Sequence, residues 1–214
     1  MFAYTSYLAN KLIDQLMRGV AYTFPTTGLS VGLLVTTKGP RANSTAYALN
    51  DTMSLVANDG NTHLYKCTTA GTSAAAQSTL YPGTDGEAIT DGTAVFQEQA
   101  AALRAGTAAE AAWTNYARAN LAASTANWAA TNGAGTTTNP SSGTGQPITS
   151  NNSTLTFGTA VGSGPNYVWA FALFDAASAG NRLAYAPLST PKTVNNGDGA
   201  PSFAAGQAQF YIDR

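Results

Sequence analysis

The 214-residue chain is 44% apolar, enough for a substantial core, yet only 10% charged, with Ala, Thr, Ser, Asn and Gly filling the deficit against about 25% charged residues in an average soluble protein. A net charge of −1, with 10 Lys and Arg thinly spread, leaves no basic stripe and argues against nucleic acid as a partner and against charge-driven membrane binding. The single cysteine, Cys67, excludes an internal disulfide, and no segment approaches the roughly 18 continuous apolar residues of a membrane span, so no membrane insertion is expected.

The N-terminal segment reads as a helix. Leu8, Leu12, Ile13, Leu16 and Val20 share one face, Asn10, Asp14 and Arg18 lie off it, Thr5 or Ser6 supplies a cap, and Gly19 a stop. Its apolar face is expected to pack across one end of the main body. Because Lys11, Asp14 and Arg18 interrupt the apolar run, the segment does not read as a secretion signal. "LSVGLLVTT" follows as a strand with Val31, Leu33 and Val35 on one face.

From Lys38 to about Thr107 the texture changes. Asp59-Gly60 and Asp91-Gly92 are turn pairs, "HLYKCTT" and "TAVFQ" alternate as strands, and "QEQAAALRAGTAAEAAW" suits a short helix. A small β module is expected here. "TNYARANLAAS" reads as a weak strand, and Gly133 to Gly145 as a polar loop of small residues. The last third holds four strand-like runs, "STLTFGTA", "YVWAFALFD", "RLAYAPL" and "QAQFYID", at the spacing of an antiparallel all-β sandwich. In "VWAFALF" strict alternation puts Val168, Ala170, Ala172 and Phe174 on one face and Trp169, Phe171 and Leu173 on the other. A strand apolar on both faces is central or closes a subunit interface, so Trp169, Phe171 and Leu173 are candidate docking or oligomer contacts.

The chemistry-bearing residues are few. His63 is the lone histidine, four residues and roughly 13 Å along a strand from Cys67, too far for a nucleophile and its base. Those two also fall short of the three or four ligands zinc requires. Asp85, Glu87 and Asp91 lack the alternation of a calcium loop, and no phosphate loop, dinucleotide fingerprint or nucleophile elbow is present. No catalytic residue, metal or cofactor is therefore assigned. Tyr65, Tyr81 and Phe96 are candidate glycan-stacking rings, with a module core as the alternative. In "ALFDAASAGNRLAYAPL", Asp175 and Arg182 flank a reversal at Gly180-Asn181, so the pair reads as hairpin punctuation, with an exposed Arg182.

The order "YLANKLIDQLMRGVAYTFPTTGLSVGLL", "TNYAR", then "ALFDAASAGNRLAYAPLSTPKTVNNGDGAPSFAAGQAQFYID" resembles a family of tailed-bacteriophage virion proteins known as tail-fibre proteins, some similar to jelly-roll capsid decoration, or cement, proteins. Separately, "YALNDTM", "HLYKCTTAGTS" and "GEAITDGTAVFQ" resemble a small β module of phage surface proteins related to carbohydrate-binding modules, with Phe96 and Leu80 where tryptophans are usual. These resemblances imply a β-sandwich, jelly-roll-like, over residues 1–38 and 108–214, interrupted by an inserted, outward-projecting module over 39–107. They further imply a non-enzymatic structural protein of the virion, assembled in the host cytoplasm. Its expected partners are the major capsid protein or other virion proteins, further copies of itself, as a trimer for example, and a host surface glycan. Decoration of the outer head is the first functional expectation, and a tail-fibre, head-fibre or neck-associated glycan binder the alternative.

Overall fold

The structure, a computed structural model, describes residues 3–25, 28–77, 81–130, 147–162 and 164–211, and the elements below are those of the described residues. The polar loop expected at 133–145 and Leu80 lie outside them. In chain order, β1 (Ala3–Tyr4), α1 (Ser6–Met17) and β2 (Ser30–Thr36) come first. Then follow β3 (Ala46–Tyr47), β4 (Thr52–Val56), β5 (Thr62–Thr69), β6 (Gly71–Thr72), β7 (Ala88–Asp91), β8 (Ala94–Glu98) and α2 (Ala100–Arg104). The chain continues through β9 (Ala119–Asn120), β10 (Ile148–Ser150), β11 (Leu155–Thr156), β12 (Asn166–Phe174), β13 (Arg182–Val194), β14 (Ser202–Phe203) and β15 (Gln209–Tyr211).

The fold is mainly β and antiparallel. Its principal sheet has the order β1-β13-β12-β2-β9, with β12 at the centre as its two apolar faces predict. One face is covered by the strand pairs β10-β15 and β11-β14, and Val31, Leu33, Phe157, Val168, Phe171 and Phe210 close a core between the layers. Two stacked antiparallel layers around that core make a β-sandwich.

Strict alternation fails in β12. Against β2 the pairing passes from Val168–Val35 to Ala170–Leu34, so Trp169 is the extra residue of a bulge, while against β13 it passes from Val168–Lys192 to Ala170–Pro187, so the extra residues there lie on β13. Trp169 therefore joins Ala170, Ala172 and Phe174 on the second face, while Val168 lies with Phe171 and Leu173 on the first. Trp169 and Phe171 are buried core residues and Leu173 packs half-buried on the same core, so none of the three forms the outer contact surface expected of them.

The stretch from β3 to β8 builds a four-stranded sheet, β4-β5-β8-β7, and the pair β3-β6. Its own core holds Tyr47, Met53, Tyr65, Cys67, Tyr81, Ala94 and Phe96. Successive residues of β5 point to opposite faces, which sends Tyr65 and Cys67 into this core and Leu64 the other way. Leu64 and Leu103 of α2 pack on Leu34, Trp169 and Phe174, covering the second face of the principal sheet. The unit is thus seated on the sandwich and not held out from it.

α1 begins as its sequence predicts and packs as it does not. Thr5 caps it by accepting from the Leu8 amide at 3.4 Å, and its hydroxyl donates to the Arg182 carbonyl at 2.6 Å, tying the foot of the helix to β13. Gly19 ends it at φ +66°, where a residue without Cβ is favoured. Of its apolar face only Leu8 is buried, whereas Ile13, Leu16, Met17 and Val20 face solvent. The expectation that this face packs across the sandwich fails for its second half: Leu8 is buried and Leu12 half-buried, but Ile13, Leu16 and Val20 stay in solvent.

Candidate functional site

The rings predicted to stack on sugar are inside the protein. Tyr65, Tyr81 and Phe96 are essentially without exposed surface, with Tyr65 and Tyr81 edge-to-face at 5.2 Å and Phe96 against Tyr47 at 4.9 Å. The Tyr65 hydroxyl donates to the Pro82 carbonyl and the Tyr81 hydroxyl to Asp91 at 2.6 Å. Burial raises both phenol pKa values, so the hydroxyls stay neutral donors. These rings are the core of a small unit with few other large residues, the alternative reading of the same residues.

Asp91 anchors that core. It accepts from Arg41 Nε at 2.9 Å and Nη2 at 3.1 Å, from the Ala74 amide at 3.1 Å and from Tyr81, in an ion pair buried on both sides. Burial opposes its charge, but the Arg41 and Tyr81 hydrogen bonds outweigh it and hold its pKa down. Asp85 instead pairs with Arg104 and accepts from the Ala101 amide, so it and Asp91 serve different partners. Among the described residues, no three His, Cys, Asp or Glu side chains gather where they could hold a metal ion.

Asp175 behaves as hairpin punctuation, accepting from the Asn181 backbone at 2.6 Å and its side-chain amide at 2.8 Å. The positive φ angles fall at Ala179 and Gly180, one residue earlier than expected. Arg182, expected exposed, is only 6% accessible, and its Nη2 donates to the Ala108 carbonyl at 2.7 Å. Desolvation lowers its pKa to about 10. Arg118 lies over the Phe174 ring at 3.5 Å and pairs with Glu110 through two nitrogens, at 2.8 and 2.7 Å. This arrangement fixes the loops at the end of the sandwich, and nothing in the sequence spacing marked it.

His63 has partners that linear sequence did not reveal. Its Nδ1 lies 2.9 Å from Glu98 Oε1 and its Nε2 3.0 Å from Asp59 Oδ2, and the second Glu98 oxygen accepts from the Ala100 amide. The Glu98 hydrogen bond, opposed by burial and reinforced by Asp59, raises the His63 pKa. Burial disfavours the Asp59 charge, but hydrogen bonds from Asn61 and His63 win and bring its pKa to about 2. Cys67, the neighbour first weighed as a nucleophile, is buried in the core, and burial raises its thiol pKa. Among the described residues, the side chains that His63 bonds to are Glu98 and Asp59, neither of them a thiol or a hydroxyl.

The Asp59 network ends at the rim of a cleft of about 920 Å³. Asp59 holds Asn61 through its backbone amide at 2.9 Å and side-chain amide at 3.0 Å, and Asn61 lies on the cleft wall beside Gly60 and Thr62. The opposite walls come from β13 between Pro187 and Val194 and from the segment carrying Ser202, Phe203, Gln207, Gln209 and Tyr211. Leu33, Phe157, Val168 and Phe171 of the sandwich core form its floor. Lys192 is the single charged side chain of the lining; the rest of its polar groups are hydroxyls and amides. Gln207 spends its carbonyl oxygen on the Ala204 amide at 2.9 Å, which leaves its NH₂ group as a donor. The cleft is assembled from three separate stretches, so only the alternating "QAQFY", with Gln207 and Gln209 on one face, hinted at it.

No curated protein matches the chain significantly. The podophage GP4 fiber I protein gp80 family matches residues 86–211, from the last hairpin of the small unit through β15, which is more than half of the chain. Together with the antiparallel sandwich, this identifies the chain as a bacteriophage virion structural protein belonging to the podophage GP4 fiber I protein gp80 family.

Proposed function

We propose that the protein is a fibre subunit of the phage particle that binds a host-surface glycan in the cleft between the small β unit and the sandwich. The observation that carries this reading is the lining: hydroxyl and amide groups over an aromatic and aliphatic floor, with one positive charge. Sugars present both hydrogen-bonding hydroxyls and apolar C–H faces, and such a surface answers both without demanding a charged ligand. Lys192 extends the fit to acidic sugars. Decoration of the outer head, the first expectation from the sequence, draws support from the low surface charge, and immunolabelling of particles separates the two: label over the whole head lattice favours decoration, and label on fibres favours this proposal.

The direct test is Gln207→Ala with Gln209→Ala on assembled particles. Two lost hydrogen bonds at about 0.5–1.5 kcal/mol each reduce adsorption to host cells about tenfold while particle yield stays unchanged. Unchanged adsorption would overturn the assignment of the cleft.

A further inference from the structure

The small β unit contributes Val56, Gly60, Asn61 and Thr62 to the cleft wall, and all of them belong to the reversal between β4 and β5 or border it. Its backbone is closed by the Ala57 amide on the Asn61 carbonyl at 2.8 Å and by the Gly60 amide on the Ala57 carbonyl at 3.0 Å. Asp59 sets its polar edge. Oδ1 accepts from the Asn61 backbone amide at 2.9 Å, while Oδ2 accepts from the Asn61 side-chain amide at 3.0 Å and lies 3.0 Å from His63 Nε2. One carboxylate oxygen thus joins a cleft residue to the only histidine of the chain.

His63 is bracketed by two acids of unequal exposure. Glu98 of β8, 2.9 Å from Nδ1, has a side chain wholly out of solvent, whereas that of Asp59 is 40% exposed. β4 places the uncharged Leu55 opposite His63, β5 adds the Tyr65 ring at 6.4 Å, and alternation turns Lys66 to the other face of that strand. Glu87, ahead of β7, acts with both acids on the Tyr65 phenol, and Arg104 of α2 is paired with Asp85. A protonated imidazole donates to both acids at once, but a neutral one has a single N–H and must leave one of them. The buried Glu98 keeps it, since a carboxylate that loses its donor inside the protein has no water to replace it. Deprotonation then leaves the Nε2 lone pair against Asp59 Oδ2, two acceptors in repulsion, and Asp59 turns away with its hold on Asn61.

We propose that His63 is a pH-operated latch on the cleft wall: protonated, it fixes Asn61 in place through Asp59, and on losing its proton it releases both. The Glu98 hydrogen bond, opposed by burial and helped by Asp59, holds the proton beyond the ordinary 6.5, so the latch is closed below about 6.5 and opens as pH rises through the raised value. The consequence for binding rests on the reading of the cleft as a sugar site, while the release of Asn61 does not. One hydrogen bond lost between Asn61 and a sugar weakens affinity roughly two- to tenfold on the alkaline side.

The test follows the full chain by nuclear magnetic resonance, without ligand, over about pH 5.5 to 9, where the lone histidine gives a single set of ring signals. The Asn61 side-chain carbon signals are expected to shift with the same midpoint as the His63 ring, to stay fixed in His63→Gln, and to stay fixed in Asp59→Asn although His63 still titrates there. Asp59 itself, with a pKa of about 2, does not titrate in this range. Calorimetric titration with polysaccharide extracted from the host envelope should show the roughly two- to tenfold weakening across the same range for the natural chain and a level affinity for His63→Gln. Asn61 signals that ignore the His63 midpoint, or that still follow it in Asp59→Asn, would overturn the latch, and so would polysaccharide binding of equal strength throughout. Coupled signals without polysaccharide binding at any pH would uphold the latch and remove the sugar reading.

Discussion

Asp91→Ala is the sharpest probe of how the small β unit is held together. The side chain is fully buried beside an Arg41 that is equally inaccessible, and its removal strands Arg41 Nε, the Tyr81 hydroxyl and the Ala74 amide at once. Breaking a buried pair from one side costs about 3–5 kcal/mol, because the remaining charge stays desolvated. Arg41 keeps the Ala74 and Ala76 carbonyls as acceptors at 2.9 and 3.1 Å, which places the expectation at the lower end, about 3 kcal/mol. For a chain of this size that is a fall in melting temperature of roughly 6–12 °C. Two spectroscopic signals separate the parts of the molecule. Tyr47, Tyr65 and Tyr81 sit in the affected core and report through near-ultraviolet circular dichroism, while Trp113, Trp128 and Trp169 belong to the sandwich and report through fluorescence. The tyrosine signal should move first and furthest. Tyr81→Phe removes one hydrogen bond to a charged acceptor and should cost about 1.5–3 kcal/mol. A loss below about 1 kcal/mol for Asp91→Ala would refute the reasoning, since it would mean that the ion pair is compensated elsewhere or hydrated.

Two further predictions concern the same scaffold. His63 holds its proton to higher pH in the folded chain than its ordinary 6.5, so its contribution is complete below about 6.5 and is lost as pH rises through the raised value; urea midpoints should therefore decline on the alkaline side of neutrality, and His63→Asn should flatten that decline, an unaltered slope counting against the Glu98–His63–Asp59 network. Gly158→Ala would set a Cβ 1.7 Å from the Asn115 carbonyl oxygen, whereas a Cβ at Gly199 meets nothing within 4 Å. Urea unfolding followed by tryptophan fluorescence should show a loss of at least about 2 kcal/mol for the first and almost none for Gly199→Ala.

The local alphabet of the chain was legible residue by residue. Thr5 and Gly19 bound α1 as their cap and stop chemistry requires, the alternation around Val31 and Leu33 gave β2, and the two-faced run at Val168 to Phe174 announced a central strand. Period-two and period-3.6 patterns are local, so they survive in the linear sequence. β10 and β14 went unread because each is two or three residues long and exists only through its partner strand. The bulge at Trp169 was equally invisible, since an extra residue is defined only by the pairing with the neighbouring strand, here β2.

Site-level readings divided the same way. The scarcity of His, Cys and paired carboxylates was a statement about composition and needed no coordinates to steer the reading away from catalysis. Whether an aromatic residue is a binding ring or a core ring depends on what lies on its far side, and only the packing of β4, β5, β7 and β8 decided that Tyr65, Tyr81 and Phe96 face inward. The helix illustrates the converse. Its sequence determined an amphipathic face from Leu8 to Val20, but tertiary structure decided that Leu8 is buried and Leu12 half-buried while Ile13, Leu16 and Val20 remain in solvent. Amphipathicity is a property of one segment, while burial is a relation between two, so only the packed structure could decide which part of the face is covered.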